Sequence, residues 1–157
     1  MTTTNAIGNS PMLIEKMNIV LRMFLEKKND FERAAEQVPD ASVKSMILTL
    51  AQESNQYAAE WQSQIYTLGG KTELDKAEKQ DTSVAHFQNS TDVITFCDSN
   101  ENKMVNAYKE MLDLPELYEG LKKMISYQMD GIHSAFMQFR LLGNLRPFSL
   151  LLKINYI

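Results

Sequence analysis

The residues best suited to chemistry in this sequence are several carboxylates and one histidine. Asp130 and His133 stand three residues apart, so that on a helix they would occupy neighbouring turns. Carboxylate and imidazole groups carried on adjacent helices are the ligands with which helical bundles hold iron or manganese. The candidate metal ligands are Glu53, Asp98, Glu101, Asp130 and His133.

Helical geometry argues against an intact two-metal site built from these residues. At 100° per residue, Glu53 lies about 90° from the apolar stripe of its segment, and Asp130 and His133 lie about 150° from theirs. Asp130 and His133 are therefore expected to face solvent, on the side of the helix that also carries Arg140. Lys27 in the first segment would moreover repel a cation.

Glu101 is the residue whose position most needs an explanation. It lies in the apolar stripe of its segment, between Cys97 and Met104, where a charge is costly unless it is paired. The sequence predicts a central polar layer in which a lysine of the first helix pairs with Glu101 and Tyr57 donates a hydrogen bond to it. The predicted layer comprises Lys27, Tyr57, Glu101 and Gln128. The alternative is a weak mononuclear metal site on Glu101 and Glu53.

Four amphipathic segments would position these residues. Each has apolar residues spaced three and four apart, which is typical of bundle helices, and each is bounded by proline, glycine or a capping residue. The predicted helices run from Pro11 to before Pro39, from Asp40 or Ser42 to Gly69, from Phe87 to before Pro115, and from Leu117 to Gly143.

Residues 69–86 are polar, carry both charges and lack an apolar period, which predicts a long crossover between the second and third helices. A helix of 25 residues is about 38 Å long, and an extended linker of this length exceeds that distance. The predicted layout is an N-terminal tail (1–10), a four-helix bundle (11–143) and an apolar C-terminal tail (144–157). Two alternatives remain for that tail. It packs on the bundle or on a second copy of the chain, or it is poorly ordered.

The hairpin sequence FERAAEQVPDASVKSMILTLAQESNQYAAEWQSQIYTLGGK, residues 31–71, resembles a bacterial family in the ferritin-like group. The segment CDSNENKMVNAYKEML and His133 occupy positions where that family has comparable residues. The resemblance covers most of residues 12–142. It implies an all-α, ferritin-like four-helix bundle, and it implies no particular activity.

Composition narrows the function classes further. The 157 residues carry a net charge of −4, which argues against nucleic acid as a main partner. Cys97 is the single cysteine, so that an intrachain disulfide and a thiolate metal cage are both excluded. The first residues lack the pattern of a signal peptide, and no apolar stretch reaches the roughly 20 residues of a membrane span, so we expect a cytoplasmic protein.

Two functions remain open at this stage. The first is a non-catalytic bundle without a cofactor that acts through self-association or a protein partner. The second is a metal-binding or oxidoreductase protein with a degenerate carboxylate site for iron or manganese. Convergence of the candidate ligands within a few ångströms would favour the second.

Overall fold

The computed structural model describes residues 11–72 and 90–156, and within these ranges it describes all side chains except those of residues 90, 91, 93, 94, 98 and 142–156. The regular structure of the described residues is entirely helical, which confirms an all-α protein. The helices are α1 (Pro11–Gln37), α2 (Ala41–Thr67), α3 (Ser90–Leu112) and α4 (Glu119–Tyr156). The N-terminal tail and most of the predicted crossover lie outside the described residues.

The ends of α2 follow local sequence signals. Asp40 is the N-cap of α2, and its carboxylate accepts a hydrogen bond from the Val43 amide at 2.9 Å. At the other end, Gly69 adopts a φ of 79°, which glycine reaches without steric cost. The amides of Gly69 and Gly70 then donate to the carbonyls of Tyr66 and Ile65, both at 2.9 Å. This is a Schellman motif, and it confirms the predicted glycine stop.

The predicted end of the fourth helix at Gly143 is wrong, because α4 continues through Gly143 and Pro147 to Tyr156. A glycine inside a helix costs only about 1 kcal/mol relative to alanine, and an interior proline costs about 3 kcal/mol. Neither residue is an absolute stop. The leucines that surround them are among the better helix formers, and residues 144–156 of the predicted tail are therefore part of α4.

Each helix packs against two others, α1 and α4 each lying between α2 and α3. Aromatic pairs show how α1 and α3 run. Phe24 lies 5.7 Å from Tyr108, and Phe31 lies 6.2 Å from Phe96, measured between ring centroids. Since residue numbers rise along α1 as they fall along α3, these two helices are antiparallel.

The other neighbouring helices are antiparallel as well. Trp61 and Gln64 of α2 contact Gln128 and Tyr118 respectively. The start of α1 lies beside the end of α2, where Asn18 donates to the Lys71 carbonyl at 2.9 Å. It follows that α2 and α3 point in the same direction, and that α2 ends at the opposite end of the molecule from the start of α3.

One apolar core runs between the four helices and is rich in aromatic residues. Its largest fully buried side chains are Trp61, Tyr108, Phe24, Phe31, Phe136, Leu13, Met17, Leu21, Ile47, Ile65, Met111 and Leu121. Across the described residues, no helix combines the length and apolarity that a membrane crossing demands.

Helices α2 and α4 approach each other closely at Gly131. A Cβ atom at this position would lie 2.1 Å from the Tyr57 hydroxyl oxygen and 3.3 Å from its Cζ. We expect Gly131→Ala to lower the free energy of unfolding by about 1–3 kcal/mol, because overpacking outweighs the gain of about 1 kcal/mol in helix propensity. Urea unfolding followed by circular dichroism measures this change.

Gly120→Ala is the matched control, because the nearest atom to its new Cβ is 3.5 Å away. In a Tyr57→Phe background the cost of Gly131→Ala should fall, because the clashing oxygen is gone. An equal cost in both backgrounds would contradict this contact.

Candidate functional site

The strongest cluster of charged side chains lies where α3 meets α4. Glu101 of α3 is 7% exposed, and its two carboxylate oxygens face two residues of α4. His133 Nδ1 lies 3.1 Å from one oxygen, and Arg140 Nη1 donates to the other at 2.5 Å. Both partners on α4 are more exposed than the carboxylate, with side-chain exposures of 52% for His133 and 37% for Arg140. We call these three residues the Glu101 cluster.

The Glu101 cluster fixes the orientation of an imidazole at the protein surface. In the tautomer in which Nδ1 donates to Glu101, Nε2 carries the free lone pair. A carboxylate that orients a histidine in this way is also the usual outer partner of a metal-bound imidazole. The arrangement therefore supports either a structural ion pair or a single exposed nitrogen ligand.

The partners predicted for Glu101 are wrong. Lys27 is buried, but its ammonium group pairs with Asp30 of its own helix at 3.6 Å. Burial lowers the pKa of Lys27. Tyr57 is buried too, but within the described residues its hydroxyl donates no hydrogen bond to Glu101. His133 is exposed, as expected, and its ring also contacts Glu101.

A second polar group lies deeper in the bundle, around Gln128 of α4, which is fully buried. Its side-chain oxygen accepts hydrogen bonds from Trp61 Nε1 at 2.8 Å and from the Tyr108 hydroxyl at 2.5 Å. Its amide nitrogen donates to Glu60 at 2.7 Å. These four residues, the Gln128 network, join α2, α3 and α4. Of the predicted polar layer, Gln128 belongs to this network and Glu101 to the Glu101 cluster, whereas Lys27 and Tyr57 belong to neither.

The buried tyrosines predict how stability depends on alkaline pH. Burial, reinforced by nearby Glu53, raises the pKa of Tyr57 to about 12. Burial likewise raises the pKa of Tyr108. A phenol has a pKa of about 10 in an unfolded chain, so these groups stabilise the fold fully below pH 10. That contribution is lost as pH rises from 10 through the folded-state values.

We expect the free energy of unfolding to fall between pH 10 and about pH 12, and to fall less in Tyr57→Phe. Urea unfolding at closely spaced pH values measures the slope. Tyr66→Phe is the contrasting variant, because hydrogen bonds from Thr72 and Gln62 lower the pKa of Tyr66. Removing Tyr66 should not reduce the alkaline loss. A Tyr57→Phe slope equal to that of wild type would contradict the burial of its hydroxyl.

Glu53 lies one turn before Tyr57 on α2 and is half-buried. Burial raises the pKa of its carboxyl group. It lines a cavity of about 10 Å³ together with Met104 and Ile132, and that volume is close to the minimum that can hold one water molecule. No described residue forms an ion pair or a hydrogen bond with Glu53.

The candidate metal ligands converge only in part. Glu101 and His133 are in contact, whereas Asp130 is exposed. Among side chains that the structure describes, no three of histidine, cysteine, aspartate and glutamate lie close enough to hold a metal ion. The side chain of Asp98 lies outside this set, so its part in an iron or manganese site stays a prediction.

The sequence-based prediction did not include Arg140 as a partner of Glu101. Arg140 nevertheless follows His133 by seven residues, so both lie on the same side of α4. The partners of Gln128 were also missed. A buried tryptophan or tyrosine normally finds a hydrogen-bond acceptor, so Trp61 and Tyr108 were the available signal. The acceptor itself could not be chosen without knowing which helices are adjacent.

Neither a scan against models of known protein families nor a search of curated proteins gives a match for this chain.

Proposed function

We propose that this protein is a non-catalytic, ferritin-like helical bundle of the cytoplasm that acts by binding a protein. The partner is either a second copy of the chain or another protein, and the binding surface is the outer face of α4. The observation that carries the proposal is the combination of exposed apolar side chains and scarce charge on this face.

The exposed apolar residues of α4 are large. Tyr127 is 62% exposed, Met137 58% and Leu141 55%. At 100° per residue they fall within an arc of about 80°, so they share one side of the helix. Aromatic residues and methionine are enriched in protein interfaces, and a shared apolar face of this kind marks an interaction site.

Charge is correspondingly scarce along this part of α4. Between Met124 and Phe139, Asp130 is the only aspartate, glutamate, lysine or arginine. The segment Arg22–Arg33 of α1, by contrast, contains seven such residues among twelve. Depletion of charge is the compositional mark of an interface core, which favours α4 over α1 as the binding surface.

Helix directions support the ferritin-like part of the proposal. Helices α2 and α3 point the same way although they follow each other in the chain, whereas a simple up-down-up-down bundle would make them antiparallel. A ferritin-like bundle has this parallel pair, joined by one long crossover. The polar sequence of residues 69–86 has the length such a crossover needs.

The Glu101 cluster supports a non-catalytic reading, because both carboxylate oxygens are engaged by the side chains of α4. One observation favours the second candidate, a metal-binding or oxidoreductase protein. The contact between Glu101 and His133 Nδ1 leaves Nε2 as a potential ligand for iron or manganese. About two metals per purified chain, lost in Glu101→Ala, would establish this second candidate in place of the first.

The binding proposal is tested by placing a photo-reactive amino acid at position 137 and, as a control, at position 16. Lys16 is exposed on α1. In cells that express the chain at its native level, irradiation should give one discrete cross-linked product from position 137 and none from position 16. The absence of a product at 137, or the same products from both positions, would contradict the proposal.

A further inference from the structure

The small cavity that Glu53 lines is apolar except on one side. The apolar part of its wall comes from all four helices and comprises Phe31, Leu50, Met104, Ile132, Ala135 and Phe136. The polar part comes from α2 alone and comprises Glu53, Ser54 and Tyr57. We call these last three residues the polar wall.

Helical spacing brings the polar wall together. Glu53 and Tyr57 are four residues apart on α2, and Ser54 and Tyr57 are three apart. Residues with these separations are neighbours on the surface of a helix, one turn from each other. The carboxylate and the two hydroxyl groups therefore border one common space, which is the cavity that all three line.

Each group of the polar wall has hydrogen-bonding capacity that no described residue uses. Glu53 is half-buried, and within the described part of the chain its carboxylate accepts no hydrogen bond. Tyr57 is 6% exposed, and among the described residues its hydroxyl has no hydrogen-bond partner. Ser54 donates to the Leu50 carbonyl at 2.8 Å, which leaves the lone pairs of its own oxygen as acceptors. Buried polar groups are costly unless they are hydrogen-bonded, so the polar wall needs a partner.

We propose that this cavity is a binding site for one water molecule, which accepts a hydrogen bond from the Tyr57 hydroxyl and donates to the Glu53 carboxylate and the Ser54 oxygen. Buried waters make about three hydrogen bonds, which is the number that the polar wall offers. The site gives Glu53 a role that requires no metal ion. It goes beyond the proposed binding surface on α4, with which it shares no residue.

The size and chemistry of the cavity select water over other occupants. Cavities that stay empty are apolar throughout, whereas this one is bordered by a carboxylate and two hydroxyl groups. Its volume of about 10 Å³ excludes any larger ligand. The polar wall also combines acceptors with a hydroxyl donor, and water is a molecule that both donates and accepts.

Oxygen-17 relaxation dispersion of the full-length chain tests the site, because it counts long-lived water molecules and does not respond to the hydroxyl protons of the protein. Glu53→Met keeps the length of the side chain but removes its acceptor oxygens. The dispersion amplitude of this variant should fall below that of wild type by the contribution of one water molecule per chain. Glu110→Met is the matched control, since Glu110 is exposed on α3, and its amplitude should equal that of wild type.

A crystal structure of the wild-type protein, at a resolution that shows ordered water, is a second measurement that does not depend on how the variants fold. It should contain one water within about 2.5–3.2 Å of both the Glu53 carboxylate and the Tyr57 hydroxyl. Equal dispersion amplitudes for wild type and a folded Glu53→Met would overturn the site, and so would a crystal structure without that water. Neither outcome changes the proposed surface on α4, which cross-linking at position 137 tests separately.

Discussion

Replacing Gln128 with leucine is expected to lower the free energy of unfolding by about 2–5 kcal/mol, which is a large fraction of the stability of a domain this size. Gln128 is fully buried and accepts hydrogen bonds from Trp61 and Tyr108, both of which are also fully buried. Leucine fills a similar volume but accepts no hydrogen bond. Two donors are then left without a partner in the core, at about 1–3 kcal/mol each.

Chemical denaturation of Gln128→Leu and wild type, with tryptophan fluorescence and circular dichroism as two probes, measures this loss. Gln138→Leu is the control, since Gln138 is exposed on the same helix and the same side chain is exchanged. Its stability should change by less than about 0.5 kcal/mol. A Gln128→Leu variant as stable as wild type would show that the network does not hold α2, α3 and α4 together.

Removal of Arg140 is the second change with a large expected effect. Arg140→Met should lower the free energy of unfolding by about 2–4 kcal/mol, because it leaves the buried carboxylate of Glu101 with His133 as its remaining partner. Glu101→Gln should cost less, about 1 kcal/mol. Its two partners are partly exposed and can be hydrated by solvent when the charge is removed.

A double-mutant cycle separates these two effects. The combination Glu101→Gln with Arg140→Met should be more stable than Arg140→Met alone, because the unpaired buried charge is gone. Arg33→Met, a partly exposed arginine on α1, controls for the loss of an arginine elsewhere. Additive losses in the double variant would mean that Glu101 and Arg140 are not energetically coupled.

Much of the fold could be predicted from the sequence because its boundaries are set by local chemistry. Pro11 and Pro39 bracket α1, Asp40 caps α2, and Gly69 ends it in the left-handed conformation. These signals act within one turn of a helix, so they can be read without knowledge of the partners. The end of α4 could not be predicted in this way, because Gly143 and Pro147 oppose a helix only by a few kcal/mol.

The site was harder to predict because it depends on how α4 is rotated about its axis. From its spacing alone, the apolar stripe of α4 is expected to run through Leu121, Gln128 and Ala135. In the structure Ile125, Ile132 and Phe136 are buried as well. Including these residues rotates the buried face by about 40°, which brings His133 to its flank. From there the ring contacts α3. Burial of Glu101 correctly indicated that it needed a partner, but that partner depended on this rotation.

The choice between Lys27 and Arg140 as the partner of Glu101 shows the same limit. Both residues are long cations that can extend from a helix, and periodicity does not say which helix lies beside Glu101. In the structure, the ammonium group of Lys27 forms an ion pair with Asp30, which lies three residues away on the same helix. A short-range pair of this kind could have been found from the sequence and would have removed Lys27 from consideration.

The claim that a protein covers the outer face of α4 is tested most directly by methionine oxidation in freshly opened cells, where partners are present. Met137 and Met12 have nearly equal exposures in the isolated chain, 58% and 55%. After a short pulse of hydrogen peroxide, mass spectrometry compares the sulfoxide formed at each position. We expect Met12 to be oxidised several-fold faster than Met137, and the difference to disappear after mild denaturation. Equal oxidation of the two methionines in the native protein would contradict the claim.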